Sequence, residues 1–367
     1  MKVAIDAHAL GRGQAGYESY LRHLTKALPA AAPEDEFLLY RQLSAHRLRR
    51  LLYELPRAVY RDRPDVLHVQ YAGPLLPLPS QCSLVATIHD VSFVDVPEFF
   101  SLPDRTLLRV GVGRTIRQAS RVITVSEFSK ARLMKAYGIA EDTIHVIYNA
   151  AGSEFRPAFH DGYRADPPYV VMVADLSARK NQVNLIRAFS AFARRHPHHL
   201  LLAGRDSATA HSIREEARRS SVGGRIHFLG YVPDQELPRL YQQADLCVYP
   251  SLYEGFGLPV VEAMACGTPV VTSRVSALPE VAGGAALLAD PQDPADLCAA
   301  MEAAVRDRDR WRRAGLLRAG RFSWNGAAQR TVEVYRESCV IVRRGDEMYG
   351  AVLPSAPEQE PCESTRK

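Results

Sequence analysis

The sequence predicts an α/β protein built from two doubly wound parallel sheets, on three observations. Short apolar runs alternate with stretches of helical periodicity along almost the whole chain. The runs are continuous and β-branched rather than strictly alternating, as suits strands covered on both faces. The pattern is interrupted once, by the segment 152–168, GSEFRPAFHDGYRADPP, which is rich in Gly, Pro, Asp and His and has no periodicity. Strand–helix repetition of this length on either side of one linker implies two parallel-sheet domains.

In chain order, the first series of strand candidates is Val3–Ile5, Phe37–Tyr40, Val66–Val69, Leu84–Ile88, Val122–Val125 and His145–Ile147. The second is Val170–Val173, Leu200–Ala203, Ile226–Phe228, Leu246–Tyr249 and Val270–Thr272. Helical spacing joins Tyr17, Tyr20, Leu21, Leu24 and Leu28, and again Leu185, Ile186, Phe189 and Phe192. The expected division is a first domain over 1–160, a second over 168–322, and a final helix from Trp324 to about Val342. The tail 343–367 lacks any periodic pattern and is expected to be disordered.

Composition is that of an ordinary soluble globular protein, 47% hydrophobic and 24% charged in 367 residues. No apolar run is long enough to cross a membrane, and the N-terminus runs straight into a strand with no signal-peptide pattern. A cytoplasmic protein is expected. Its cysteines, Cys82, Cys247, Cys266, Cys298, Cys339 and Cys362, are scattered without a CxxC pair and read as reduced, mostly buried thiols. The net charge of +5 is mild but unevenly spread. Arg105, Arg109, Arg114, Arg117, Arg121, Lys130, Arg132 and Lys135 face one nearby acid, Glu127, and 41–63 is similarly arginine-rich. These stretches read either as solvated helix faces or as a surface for an anionic partner, such as a lipid surface at which the protein sits peripherally. Aromatics do not interleave with them and no recognition module is evident, so nucleic acid is not expected.

Ligands of open α/β sheets bind outside the carboxyl ends of strands, and the informative motifs fall there. Residues 249–271 read YPSLYEGFGLPVVEAMACGTPVV: a strand end, a loop with Glu254, Gly255, Phe256 and Gly257, and after Leu258 a helix with Pro259 expected at its first position. The glycines let backbone approach a ligand closely, and the helix N-terminus suits a diphosphate. Glu254 on the loop and Glu262 on the helix can face a sugar and a ribose diol. The alternative is that Glu262 complements the helix dipole and Glu254 is a turn residue. Arg179 and Lys180, in VVMVADLSARKN, stand between a strand and a helix, where two cations could neutralise a diphosphate leaving group, or be an ordinary basic pair. Gly11, Gly13 and Gly16 spell GxGxxG before Tyr17, but too far from the strand, and without the acid on the second strand, for a nicotinamide site. His89 and Asp90 follow a strand in IHDVSF, and Ser126 in VSEFS is a helix N-cap candidate. The Asp307-Arg308-Asp309 string lies in RDRDRWRR, which reads as one solvated helical face rather than a metal site, and His196, His198 and His199 lack metal-ligand spacing.

The double-glutamate block EGFGLPVVEAMACGTPVV resembles the signature of family 4 retaining glycosyltransferases, which have the two-Rossmann-domain GT-B fold. The RKN block, the glycine loop, IHDVSF with PEFF, VSEFS, Gly204-Arg205 and SALPE at 276–280 are similar to further blocks of that family, and together the resemblance spans roughly residues 1–340. It implies transfer of a hexose of mannose or glucose type, with retention, from a nucleotide-diphosphate sugar to a glycan, lipid-linked or small-molecule acceptor, without metal or other cofactor. By resemblance Glu262 binds the ribose, and Glu254 with Phe256, Gly257 and Leu258 contacts the transferred sugar. Lys180 binds the diphosphate, His89 contacts sugar or acceptor, and Gly13 or Gly16 with Tyr17 forms the acceptor and diphosphate loop. Ala174 and Asp175 depart from the family, which carries Gly followed by Arg or Thr there, and the second diphosphate contact is expected from Arg179 instead. A GT-B epimerase or phosphorylase, and a catalytically silent GT-B subunit, share this fold.

Overall fold

The computed structural model describes residues 1–12, 15–158 and 165–350. The first domain holds β1 (Lys2–Asp6), β2 (Glu36–Tyr40), β3 (Val66–Gln70), β4 (Ser83–Thr87), β5 (Arg121–Thr124) and β6 (Ile144–Val146), in the sheet order β2-β1-β3-β4-β5-β6. The second holds β7 (Tyr169–Val173), β8 (His199–Ala203), β9 (Ile226–Gly230), β10 (Leu246–Tyr249), β11 (Val270–Ser273) and β12 (Leu287–Ala289), in the order β12-β11-β10-β7-β8-β9. Every pairing is parallel. Both sheets reverse their strand order beside the first strand of the domain, and such a point opens a crevice at the carboxyl edge.

The continuous apolar strands are covered on both faces. Ala4, Leu67 and Val69 pack on one side of the first sheet, and Val3, Ile5 and Val66 on the other. The second side is closed by two helices, Ala15–Ala31 and Trp324–Gly350. Trp324, Ala328, Val332 and Tyr335 of the last helix join Tyr20, Leu21, Leu24 and Leu28 in one core. His68, buried on β3, meets the Tyr335 hydroxyl through Nδ1 at 2.7 Å and Thr87 Oγ1 through Nε2 at 2.7 Å. The chain thus leaves the second domain and returns to clamp the first.

Three details differ from expectation. The last helix does not stop near Val342 but continues to Gly350, since no proline interrupts the run before Pro354; the tail beyond Gly350 lies outside the described residues. The run RDRDRWRR is not one solvated helix. It is divided at Asp307 between the helices Pro294–Arg306 and Arg308–Ala319, and Arg308 turns inward to Asp245 at 3.4 Å. Within the expected linker, Phe155 is buried in the second domain's core, 6.1 Å from Tyr241 between ring centres; residues 159–164 lie outside the described residues. Cys82, Cys247, Cys266 and Cys298 are buried thiols, as their scatter suggests.

Candidate active site in the cleft between the domains

The carboxyl ends of both sheets face one cavity of about 840 Å³. The first domain contributes Gly16, Tyr17, Tyr71, His89 and Asp90, and the second Asp175, Arg179, Lys180, Gly204, Tyr231, Glu254, Gly257, Leu258 and Glu262. Sequence-predicted site residues from segments far apart in the chain therefore meet around a single space. Gly13 lies outside the described residues; Gly11 and Gly16 line the cavity, and the Gly11 N–H donates to Glu18 Oε1 at 2.9 Å.

Glu254 is the best-held group in the cleft. Its Oε1 accepts from Lys180 Nζ at 2.5 Å, Ser251 Oγ at 2.6 Å and the Tyr249 hydroxyl at 3.1 Å, with Arg179 Nη1 at 3.5 Å. Its backbone N–H donates to Ser276 Oγ at 3.1 Å. Oε2 receives no hydrogen bond from the described residues and is left for the cavity. Burial alone would raise the carboxyl pKa, but the charges of Lys180 and Arg179 outweigh it and hold it at about 2. Burial lowers the Lys180 ammonium, in part offset by Glu254. Lys180 also donates to the Tyr249 hydroxyl at 2.7 Å, and Arg179 donates to the Tyr253 carbonyl at 2.6 Å. The cation pair is thus locked by the loop it serves.

Lys180 ends a single 3₁₀ turn, Ala178–Lys180, and Asn181 follows in the left-handed conformation at φ 64°. Asn181 tolerates that conformation, and its side-chain amide donates to the carbonyls of Pro250 (3.0 Å) and Pro291 (2.6 Å). This tie fixes the RKN turn against the end of β10. Gly257, at φ 103°, starts the helix Leu258–Ala265, and Gly257, Leu258 and Pro259 at this helix end line the cavity. The Phe256 ring packs between Tyr148 and Phe322.

Glu262, one turn into that helix, is buried, and burial raises its pKa to about 7, partly countered by the Tyr241 hydroxyl, which donates to Oε2 at 3.4 Å. His89 is the opposite case: burial lowers it to about 3, so the ring is neutral. Its Nε2–H donates to Gln70 Oε1 at 3.0 Å, which leaves Nδ1 as an acceptor. Tyr17, Tyr20 and Tyr71 surround the ring at 5.3, 4.7 and 5.7 Å between centres.

The two domains also touch beside the cavity. Ser126 caps the helix Glu127–Tyr137 through the Ser129 N–H, and its hydroxyl donates to the Gly255 carbonyl at 2.6 Å. Glu280 accepts from the N–H groups of Glu127 (2.8 Å) and Phe128 (3.0 Å) at the same helix end. Farther along the cleft, Arg22 and Asp234 form an ion pair between the domains. A Cβ on Gly255 would fall 2.2 Å from the His89 carbonyl oxygen and 2.9 Å from Asp90 Cβ. Gly255→Ala is therefore expected to push the domains apart, costing about 1–3 kcal/mol by overpacking. Turnover should fall at least about fivefold, the rate equivalent of the low end of that cost, while the protein still melts cooperatively. Unchanged melting and turnover would mean that the seam is not this tight in solution.

Residues 158–317 match the family model described as glycosyl transferases group 1, and residues 11–155 match that of glycosyltransferase family 4. The O-antigen chain mannosyltransferase B of Escherichia coli is 33% identical over 305 residues, covering 78% of each chain. The chain belongs to the family 4, group 1 glycosyltransferases. Its fold is GT-B. Sucrose-phosphate synthase from Thermosynechococcus elongatus superposes with a TM-score of 0.76 over 93% of this chain and 100% of that one, at 20% identity. Anabaena HepE, crystallised with UDP-glucose, superposes with a TM-score of 0.69 over 94% and 100%, at 19% identity.

Within this glycosyltransferase, sequence reasoning missed the groups that hold the named residues in place. Tyr249 and Ser251 were readable in principle, since they end the strand just before Glu254. Gln70, Tyr241 and the Arg22–Asp234 pair come from distant segments and carry no local pattern.

Proposed function

We propose that this glycosyltransferase is a retaining hexosyltransferase that moves a mannose- or glucose-type sugar from a nucleotide-diphosphate sugar to an acceptor docked on the first domain. The observation that carries the reading is Glu254: an ionised carboxylate with one oxygen clamped by Lys180, Ser251 and Tyr249 and the other free to accept a sugar hydroxyl. The mannosyltransferase relative favours mannose.

The donor's ribose hydroxyls pair with Glu262, and its diphosphate lies at the N-terminus of the helix Leu258–Ala265 beside Lys180 and Arg179. The acceptor docks beside the packed Tyr17 and His89 rings, where His89 Nδ1 accepts a hydrogen bond from its hydroxyl without removing the proton. The acceptor oxygen forms the new bond to the anomeric carbon on the face from which diphosphate departs. The carbon–oxygen bond to the diphosphate breaks, and the acceptor's proton passes to the departing oxygen. Lys180 and Arg179 offset the charge that grows there, so catalysis is positioning and charge stabilisation. Cytoplasmic placement, where nucleotide sugars are at hand, belongs to the same proposal.

Two cations and a helix end supply the positive charge, so turnover is expected without a divalent ion. The test is release of nucleoside diphosphate from a panel of nucleotide-diphosphate hexoses, with and without EDTA. Release from a mannose or glucose donor, unchanged by chelation, is expected. Loss of turnover that magnesium or manganese restores would overturn the assignment of the diphosphate to Lys180 and Arg179.

A further inference from the structure

The outer face of the first domain carries two adjacent helical stretches with apolar side chains in solvent. One is the continuous helical run 47–62, and the other is the helix Leu102–Gln118. They are joined through the segment at 75–77: the Tyr60 hydroxyl donates to the Pro77 carbonyl at 3.3 Å, and Arg114 donates to the Leu75 carbonyl. On the first, Leu55, Ala58 and Val59 are buried while Tyr53 and Tyr60 point outward, 71% and 53% exposed. On the second, Val112, Thr115 and Ile116 are buried while Leu102, Leu107 and Val110 are 74%, 46% and 64% exposed. Leu76, between the two, is also exposed. Single exposed apolar residues are ordinary, but a cluster on neighbouring helices marks an interaction surface.

The charge on this face is one-sided. Arg57, Arg105, Arg109 and Arg117 make no ion pair with a described acid, whereas Glu54 is paired with Arg49, Asp62 with Arg61, and Asp104 accepts from its cap Ser101. Tyr53, Arg57 and Tyr60 share one face at helical spacing. Tyrosines and leucines at headgroup depth among arginines, whose stems lie along apolar surface, form the pattern of a peripheral membrane face.

We infer that this face seats the protein on an anionic lipid bilayer, with Tyr53, Tyr60, Leu76, Leu102, Leu107 and Val110 in the headgroup layer. Three basic residues farther along the chain are instead paired within the protein, Arg132 with Asp95, Lys130 with Glu141 and Arg121 with Glu337, and take no part in the patch. Its inner border reaches the cleft. Arg47, whose guanidinium stands 3.2 Å from the Cβ position of Gly111, lies near the neutral Tyr17 hydroxyl. Resting on the acceptor-side reading above, this makes the acceptor a glycan on a lipid anchor, presented from the membrane to the first domain.

The test is cosedimentation of the full chain with phosphatidylcholine vesicles, with and without one third phosphatidylglycerol. Binding to the mixed vesicles only, released by high salt, is expected. Replacing Arg105, Arg109 and Arg117 by alanine should weaken it roughly fivefold per residue, on the order of a hundredfold together. Leu107→Glu with Val110→Glu should weaken it at least about tenfold, since it puts charge in the inserted layer. Both variants should bind nucleoside diphosphate with wild-type affinity by calorimetry. Nucleotide binding that fails in the wild type while vesicle binding holds would count against the transfer reading and not against this surface. Equal binding to neutral vesicles, no binding, or unaffected variants would overturn the inference. So would a dimer in the absence of lipid that the double glutamate variant dissolves, since the patch would then meet a second copy.

Discussion

Lys180→Ala is expected to lower donor turnover about a hundred- to a thousandfold, or about 3–4 kcal/mol of transition-state stabilisation. The ammonium is held at 2.5 Å from Glu254 Oε1 and 2.7 Å from the Tyr249 hydroxyl, at the mouth of β10. Negative charge on the diphosphate grows as the sugar leaves, so the contact strengthens toward the transition state, and turnover should suffer more than donor binding. The same substitution leaves Glu254 with Arg179 as its cation, which costs stability. Lys180→Gln, which keeps length and a donor but no charge, separates the two effects. Turnover should stay low in both variants while the glutamine form melts nearer to wild type. Glu254→Ala should lose about ten- to a hundredfold, mostly in turnover, the worth of a hydrogen bond to a charged group. Near-normal turnover of a folded Lys180→Ala protein would place the diphosphate elsewhere.

Glu262→Gln should raise stability and weaken nucleotide binding at the same time. The Glu262 carboxyl has an ordinary pKa of 4.5, and burial raises it to about 7 in the folded protein. Between those values the folded chain keeps a proton that the unfolded chain gives up, so stability falls as pH rises from about 4.5 to 7. The full penalty, on the order of 3 kcal/mol, applies above pH 7. Glutamine is neutral at every pH and escapes it. The variant should therefore melt higher than wild type at pH 8 and equal to it near pH 4.5. Binding runs the other way. The ionised carboxylate is the stronger acceptor for ribose hydroxyls, so the variant should bind nucleoside diphosphate about ten- to a hundredfold more weakly at pH 8. Wild-type affinity should rise from pH 6 to 8 as Glu262 ionises. Thermal melts at the two pH values, with calorimetric titration, check both halves. A variant that melts lower at pH 8, or that binds as tightly as wild type, contradicts the role of this buried acid.

The parts of the fold that the sequence could reveal are those written locally. Apolar runs marked every strand except β12, whose two leucines stand between alanines in GGAALLAD and do not form a distinct run. The glycine and glutamate loop could be placed because its strand, turn and helix are consecutive. So could the Ser126 cap, a hydroxyl one residue before a helix. The support around the loop could not. Tyr241 reaches Glu262 across 21 residues, Gln70 orients His89 across 19, and Glu280 caps a helix 153 residues away. Nothing in their neighbours distinguishes them, since the fold alone brings these segments together. The basic stretches show the same limit from the other side. Charge counting could not separate arginines bound to acids, such as Arg121 and Arg132, from those left in solvent beside exposed leucines.

The stereochemistry of the released or transferred sugar tests the central claim most directly. Proton NMR, recorded before mutarotation, follows the anomeric signal when the wild-type protein consumes an α-linked nucleotide-diphosphate mannose or glucose. Retention at a site built on Glu254, Lys180 and Glu262 predicts that the α-anomer appears first, and that the signal is slowed at least about a hundredfold in Lys180→Ala. First appearance of the β-anomer would contradict same-face displacement.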